Sequence, residues 1–193
     1  MNRLLPFIAL LFAVGCNMSE EHIPIDAKDD DTNYRSQVWD AAQWDETLNA
    51  WITQVRTNVF GWIEVMISTD GVTSPPTARQ LSTLDLVANL PSASLADVTT
   101  QARVYAEEYM MEDEYEELTD TDFELRFSTC MIPRLRDTPD HYFFLIGNSE
   151  IDEEHGIACL FKNHESTRIC HTDVAYDNYG WDDTALLEFV LRS

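Results

Sequence analysis

The chain has 193 residues, of which 35 are acidic and 12 are basic, and its formal net charge is −23. Such a charge repels nucleic acid phosphates and anionic lipid headgroups, so the composition excludes a nucleic-acid-binding protein. It favours a basic protein partner, a cation or simply a solvated acidic surface. The length suffices for one domain with a hydrophobic core.

The first sixteen residues have the pattern of a bacterial lipoprotein signal peptide. Arg3 precedes an apolar run at residues 4–14, which is too short to span a bilayer as a stable helix. The run ends in Ala13-Val14-Gly15-Cys16, which resembles the bacterial lipobox, with small residues before the cysteine that receives the lipid. An ordinary secretory signal that happens to contain a cysteine is the alternative.

Processing at this site would leave 11 basic and 35 acidic side chains, a net charge of −24. Several acyl chains on Cys16 would anchor the protein durably to a lipid bilayer. The residue after the cysteine is Asn17 rather than the Asp that retains lipoproteins at the inner membrane. We therefore expect an outer-membrane protein that faces the periplasm or the cell surface.

Residues 17–33 are polar and acidic and predict a flexible tether, and residues 34–193 are assigned to a single folded domain. Its first clear elements are strands at residues 47–55 and 60–69, the second of which is especially rich in β-branched and aromatic side chains. We expect Trp62, within the second strand, to belong to the core. Trp39, Trp44, Trp51 and Trp181 are candidates for an interface, where aromatic anchors are common.

Two helices are predicted next. Ser74-Pro75-Pro76 is typical of a helix start, and apolar residues then recur at helical spacing as far as Pro91. A second helix begins near Ser92 or Ser94, and its apolar residues step by three and four positions through Leu95, Val98, Ala102, Tyr105 and Tyr109. Acids are in the majority at residues 107–124 and would oppose the helix dipole, so we expect this end to fray or bend away.

The last third of the chain predicts strands. Residues 123–132 and 141–147 are strand-like and are joined by a turn-rich connection. Residues 156–161 and 167–173 predict a hairpin around residues 162–166. Strands, then two helices, then more strands predict an α+β fold in which two helices pack on one face of an antiparallel sheet.

The most distinctive stretch is Asp152-Glu153-Glu154-His155-Gly156, which precedes an apolar strand. Gly156 suits a positive φ or a close approach of two backbones. Asp152 and Glu154 can accept hydrogen bonds from turn amides, and His155 can bond to a carboxylate or a carbonyl. The catalytic alternative is an acid–base pair of Glu154 and His155, but no nucleophile or third orienting group is evident nearby in the sequence.

This stretch resembles the D-x-E-H-G signature of an uncharacterised bacterial family whose members often sit among immunity-type proteins of toxin–antitoxin competition loci. Pro76-Thr77-Ala78-Arg79-Gln80-Leu81 is similar to the P-T-x-x-Q-L helix start of the same family. The resemblance covers residues 51–177, implies an immunity-like binding protein and brings no catalytic residues. The lipoprotein leader and the cysteines depart from the family pattern and indicate an exported branch.

Two places in the sequence have residue types that could bind a metal. Cys159, His164, Cys170, His171 and Asp173 lie around one predicted hairpin, but zinc ligands are usually spaced by two to four residues, and neighbouring strand residues point to opposite faces. Between residues 29 and 40 acids alternate like calcium ligands, but Tyr34 stands where an EF-hand loop needs glycine. We therefore expect no metal and no other cofactor.

Beyond Cys16, three cysteines remain, so at most one internal disulfide can form. A hairpin turn centred near His164 would place Cys159 and Cys170 almost opposite each other, within disulfide range. We expect this pair to be bonded. Cys130 lies on an earlier strand and is expected to be a buried free thiol.

Together these observations predict an acidic, non-catalytic binding protein that is held at a bilayer by its acylated N-terminus. Its specific form would be an immunity-like inhibitor of a basic toxin or enzyme, since an acidic surface steers a cationic protein partner. An envelope-structural or ligand-binding lipoprotein is the first alternative. A hydrolase with an unrecognised site is the second.

Overall fold

The computed structural model describes residues 38–69, 73–135, 138–177 and 188–189. Cys16, the predicted signal peptide, the predicted tether and Trp181 all lie outside these residues. Within the described ranges, no helix combines the length and the apolar character that crossing a membrane requires.

In the part of the chain that the structure describes, seven strands form one sheet whose spatial order equals the order in the sequence. The strands are β1 (Gln43–Asp45), β2 (Ala50–Thr57), β3 (Gly61–Ser68), β4 (Arg126–Ile132), β5 (Tyr142–Asn148), β6 (Ile157–Lys162) and β7 (Glu165–His171). All neighbours are antiparallel except β3 and β4, which are parallel. The expected antiparallel sheet is wrong at this pair, because the chain leaves β3 through helices and returns beside it in the same direction.

The main helices are α1 (Ala78–Ala88), α2 (Val98–Tyr109), α3 (Glu112–Glu117) and α4 (Thr172–Asp177). Side chains of α1 and α2, such as Leu84 and Ala102, pack with one face of the sheet, and Ala175 of α4 packs in a second core on the other face. The α+β class is confirmed. The finer expectation of two helices on one face is not confirmed, since α4 adds a layer on the opposite face.

Strand β5 shows how the two cores are filled. Phe143 and Leu145 enter the core shared with α1 and α2, whereas Tyr142, Phe144 and Ile146 enter the core beside α4. A strand that is buried on both faces is apolar at successive positions rather than at alternate ones. This explains the uninterrupted apolar run at residues 142–146 of β5.

Hydrogen bonds at the start of α1 explain the threonine and the glutamine of the P-T-x-x-Q-L pattern. The Thr77 hydroxyl accepts a hydrogen bond from the backbone N–H of Gln80 at 3.2 Å, and the Gln80 side chain accepts one from the N–H of Thr77 at 3.0 Å. This reciprocal capping box satisfies two amides at the helix start. The amide of Gln80 also donates to the carbonyl of Ser68 at 2.6 Å, which ties the helix to the end of β3.

The acidic run after Tyr105 divides into two helices, because α2 ends at Tyr109 and α3 begins at Glu112. The break places Glu112, Asp113 and Glu114 in the first turn of α3, where the helix dipole favours negative charge. The expected bend is therefore confirmed.

The expectation that Trp62 belongs to the core is wrong, since its side chain is 45% exposed. Side chains alternate along a strand, and in β3 the inward positions belong to Ile63 and Val65. Trp51 is half-buried instead. Its ring lies 4.7 Å from that of Trp39 and 5.6 Å from that of Trp44, both edge-on.

The predicted disulfide between Cys159 and Cys170 is also wrong. The hairpin places Cys159 opposite Ile169 and Cys170 opposite Ala158, one residue away from the expected register. A shift of one residue turns a strand side chain to the other face of the sheet. Cys159 consequently lies in the core beside α1 and α2, and Cys170 lies in the core beside α4.

Cys130, Cys159 and Cys170 are all buried and free. The expectation of a buried free thiol at Cys130 is confirmed. Burial raises the pKa of Cys130 and Cys159 far above the ordinary range, and it raises the pKa of Cys170 to about 12. The three thiols therefore behave as small apolar side chains rather than as nucleophiles.

Candidate functional site

The D-x-E-H-G residues form the turn between β5 and β6, and Asp152 organises it. The backbone N–H of His155 donates to Asp152 Oδ1 at 3.0 Å, and the N–H of Gly156 donates to the carbonyl of Asp152 at 2.8 Å. These bonds confirm the expected turn role of Asp152. Glu154 is exposed and makes no such bond in the described part of the chain.

Gly156 has both a positive φ and a close approach of neighbouring atoms, and each of these favours glycine. Its φ is +70°, and a Cβ there would lie 2.9 Å from the hydroxyl oxygen of Thr172 and 3.0 Å from the carbonyl oxygen of Gly147. The N–H of Thr172 donates to the carbonyl of Gly156 at 3.2 Å. The expected positive φ and close backbone approach are thus confirmed, and they hold the turn against the end of β7.

Two side chains converge on the carboxylate of Asp152. Tyr105 donates from its hydroxyl to Oδ2 at 3.1 Å, and Nδ1 of His155 lies 3.2 Å from Oδ1. The hydrogen bond to Asp152 is the main reason that the pKa of His155 is raised. Burial first, and then the charge of Asp152, raise the pKa of Tyr105, so this phenol stays protonated and remains a donor.

Asp152→Asn is expected to lower the pKa of His155 toward its ordinary value of 6.5, because the change removes the acceptor charge. A histidine with a raised folded pKa adds stability that is complete below its unfolded pKa and is lost as the pH rises through the folded pKa. The stability that the variant loses through His155 should therefore be lost at low pH and not above neutrality, in addition to a pH-independent loss from the altered hydrogen bonds with Tyr105 and the turn. Histidine proton NMR titration measures the pKa, and Tyr105→Phe, which keeps the charge of Asp152, is the control. A His155 pKa that is the same in Asp152→Asn and the native chain would contradict this account.

A groove of about 700 Å³ opens between this turn and the acidic helices. One wall is the end of α2 with α3, and the other is residues 150–155. Seven of its lining side chains are carboxylates: Glu114, Glu117, Asp122, Glu150, Asp152, Glu153 and Glu154. Among the described residues that line it there is no lysine or arginine. We call this feature the acidic groove.

Two tyrosines form the aromatic part of the acidic groove. The rings of Tyr105 and Tyr109 lie 4.7 Å apart, and Tyr109 is 62% exposed. Tyr105 is buried and Tyr109 is not, so the expected apolar stripe of α2 ends one turn early. The exposed ring lies beside carboxylates, which is an environment suited to a cationic side chain.

The carboxylates of the acidic groove are crowded enough to affect one another. Glu150 and Glu153 hydrogen-bond through their side chains, and this bond, followed by the charge of Glu153, raises the pKa of Glu150. A second depression of about 480 Å³ shares Asp122, Glu150 and Glu153 with the groove. Negative charge thus continues around the loop, and a bound cation would relieve the repulsion.

The predicted site residues are only partly brought together. Asp152, Glu154 and His155 lie on the acidic groove, but Cys159 and Cys170 point into different cores, so the zinc alternative at the hairpin loses its ligand set. In the described ranges, no group of three or more His, Cys, Asp and Glu side chains is arranged to hold a metal ion. Glu150 and Glu153 were not predicted as site residues, although both belong to the acidic run around the motif.

Comparison of the chain with protein-family models, with curated proteins and with solved structures finds no match. The family resemblance therefore stays a prediction that depends on the D-x-E-H-G and P-T-x-x-Q-L residues alone.

Proposed function

We propose that this protein is a lipid-anchored, non-catalytic binding protein whose acidic groove receives a basic segment of a protein partner. An immunity-like inhibitor of a basic toxin or enzyme is the specific form that we favour. The observation that carries the proposal is the acidic groove, where seven carboxylates from two walls surround an open volume. A basic segment placed there would meet opposite charge on both sides.

The exposed ring of Tyr109 adds a second reason to expect a cationic partner. Arginine and lysine side chains bind over aromatic faces, and the interaction strengthens as water is excluded. Tyrosine is also among the residue types that dominate binding energy at protein interfaces. The net charge of the whole chain would speed the encounter, because long-range attraction raises the association rate of oppositely charged proteins.

The surroundings of His155 support binding over hydrolysis. Asp152 orients this imidazole as it would orient a general base, but a hydrolase that forms a covalent intermediate also needs a nucleophilic side chain within reach. The Ser149 hydroxyl accepts a hydrogen bond from the backbone N–H of Ile151 at 3.1 Å, which fits a structural part in the turn. The described cysteines are buried with raised pKa values.

The test compares two triple variants that lose the same charge. Glu114, Glu117 and Glu153 are changed to Gln in the groove variant, and the exposed Glu46, Glu64 and Glu165 are changed to Gln in the control. Native and control chains should retain the same basic protein from envelope extracts at low salt, whereas the groove variant should bind it at least about tenfold more slowly.

Binding by the native chain should also weaken at high salt, since salt screens charges that lie near the surface. The proposal fails if the groove variant and the control bind the partner equally well. It fails as well if the native chain retains no basic protein.

Membrane attachment has its own prediction. Cys16→Ala should move the protein from the membrane fraction to the soluble fraction, because the acyl chains are the proposed anchor. Cys130→Ala is the control, since this buried thiol cannot carry a lipid. Fractionation after a high-salt wash measures the change. A Cys16→Ala protein that still sediments with membranes would remove the anchor from the proposal.

A small cationic ligand is the second candidate occupant. The volume of about 700 Å³ falls within the range of small-molecule sites, and the crowded carboxylates suit a polyamine. Equilibrium dialysis with spermidine distinguishes the candidates. Saturable binding of spermidine, together with no retained protein, would favour the ligand-binding lipoprotein.

A further inference from the structure

His155 and His171 form a pair that the acidic groove does not explain. Their ring centroids lie 5.6 Å apart, and the ring planes are tilted by 55°. Each side chain is about two-fifths exposed, at 42% for His155 and 43% for His171. The pair is therefore both close together and open to solvent.

The backbone holds the two histidines in place. His171 ends β7, and Thr172, the next residue, donates its N–H to the carbonyl of Gly156 at 3.2 Å. Gly156 follows His155 directly, so this single bond links the two histidine-bearing segments. The approach is close enough that a Cβ on Gly156 would meet the Thr172 hydroxyl. The glycine of the motif thus permits the two imidazoles to lie side by side.

One ring nitrogen of each histidine lies near a carboxylate. Nδ1 of His155 is within hydrogen-bond distance of Asp152 at 3.2 Å. Nδ1 of His171 is buried without a hydrogen-bond partner among the described residues and lies 3.8 Å from Asp173, close enough for a small movement to pair them. A carboxylate beside Nδ1 favours the tautomer with its proton there and leaves the lone pair on Nε2. Metal-binding histidines commonly have a carboxylate partner of this kind. The charges of Asp152, Glu154 and Asp173 also act on His155, so negative charge surrounds the pair.

We propose that His155 and His171 bind one divalent transition-metal ion, represented by Zn²⁺, through Nε2 of each ring. Zinc–nitrogen distances of about 2.0–2.1 Å at a tetrahedral angle would place two imidazole centroids about 5 Å apart. The observed 5.6 Å is close to that value. Water fills the other positions, or Asp173 or Glu154 does after a change of rotamer, because no third ligand is already in place in the described chain. Imidazole ligands select Zn²⁺, Cu²⁺ or Ni²⁺ over Ca²⁺ and Mg²⁺.

The first test is calorimetric titration of the untagged full-length chain in detergent with ZnCl₂. Excess Ca²⁺ and Mg²⁺ saturate any site that consists of carboxylates alone. We expect one saturable zinc site, which His155→Ala and His171→Ala each weaken at least about tenfold. His164→Ala, which removes an exposed histidine of the neighbouring hairpin, should leave the affinity unchanged. A native chain without zinc binding, or a native-like affinity in either of the first two variants, overturns the proposal.

A second measurement uses the unaltered chain and so does not depend on how a variant folds. Diethylpyrocarbonate modifies accessible histidine nitrogens, and peptide mass spectrometry locates the modified residues. Zinc should protect His155 and His171, while the exposed His164 should react equally with and without the metal. Equal modification of His155 and His171 in both conditions overturns the proposal. A negative result in either zinc experiment would not contradict the proposed function of the acidic groove, since both experiments keep its carboxylates.

Discussion

Gly147→Ala should destabilise the fold by more than about 3 kcal/mol, although it adds a single methyl group. Gly147 lies in β5 opposite Phe127 of β4, where the register shifts at a bulge. A Cβ at this position would collide with the carbonyl oxygen of Arg126 and lie 3.2 Å from the Cα of Phe127. These atoms belong to the backbone of the neighbouring strand, so no change of rotamer can remove the collision. The strands must separate locally.

Urea unfolding at equilibrium measures this loss, and Gly61→Ala is a matched control. Gly61 has a φ of +74°, and no atom lies within 4 Å of the position that an added methyl group would take, so it tests backbone strain without a collision. We expect Gly61→Ala to cost about 1–2 kcal/mol. If Gly147→Ala costs no more than Gly61→Ala, then the backbones of β4 and β5 do not approach each other closely at Gly147.

Gly156→Val should also destabilise the protein by about 3 kcal/mol or more. It combines the steric collision expected at Gly147 with the backbone strain expected at Gly61. Its φ of +70° is unfavourable for any residue with a Cβ and most unfavourable for a β-branched one. The added atoms would also meet the Thr172 hydroxyl and the Gly147 carbonyl. The same variant should move the turn away from the end of β7.

Thermal unfolding measures the stability of Gly156→Val, and Gly156→Ala should give a smaller loss in the same direction. Two-dimensional NMR of the histidine side chains measures the displacement, since His155 would lose its position beside His171. A melting curve equal to that of the native chain would contradict the role assigned to Gly156.

Several local features could be predicted from the sequence because neighbouring residues determine them. Thr77 and Gln80 form their capping box within one helical turn, and Asp152 closes the motif turn within three residues. Gly156 adopts the positive φ that its position suggested. The apolar composition of β5 identified a strand in the interior of the fold, because burial on both faces requires apolar side chains at successive positions.

The register of the β6–β7 hairpin could not be predicted from local sequence patterns. The turn holds only Asn163 and His164 instead of the expected loop at residues 162–166, and Asn163 has a φ of 57°. A bulge beyond Leu160 then shifts the register by one residue, which leaves Cys159 opposite Ile169. Asparagine tolerates this conformation, so the turn left a signal in the sequence. The bulge left none, and it places Cys159 and Cys170 on opposite faces of the sheet. The predicted disulfide was wrong for that reason.

The candidate site also combines features that the sequence could predict with features that depend on the tertiary structure. The acids of α3 and of the motif are visible as two runs in the sequence, and their charge indicated a cationic partner. Their meeting across one groove depends on the crossover from β3 to β4, which carries α2 and α3 over the sheet to the β5–β6 turn. The contact between His155 and His171 likewise requires the pairing of β6 with β7.

The sequence by itself determined the α+β class, the acidic character, the helix cap and the glycine-dependent turn, because each depends on composition or on residues a few positions apart. Only the tertiary structure decided the parallel pairing of β3 with β4, the faces on which the cysteines lie and the walls of the acidic groove. These features depend on strand register and on contacts between distant segments. A shift of one residue reverses the face of a side chain in a strand, and no local pattern fixes that choice.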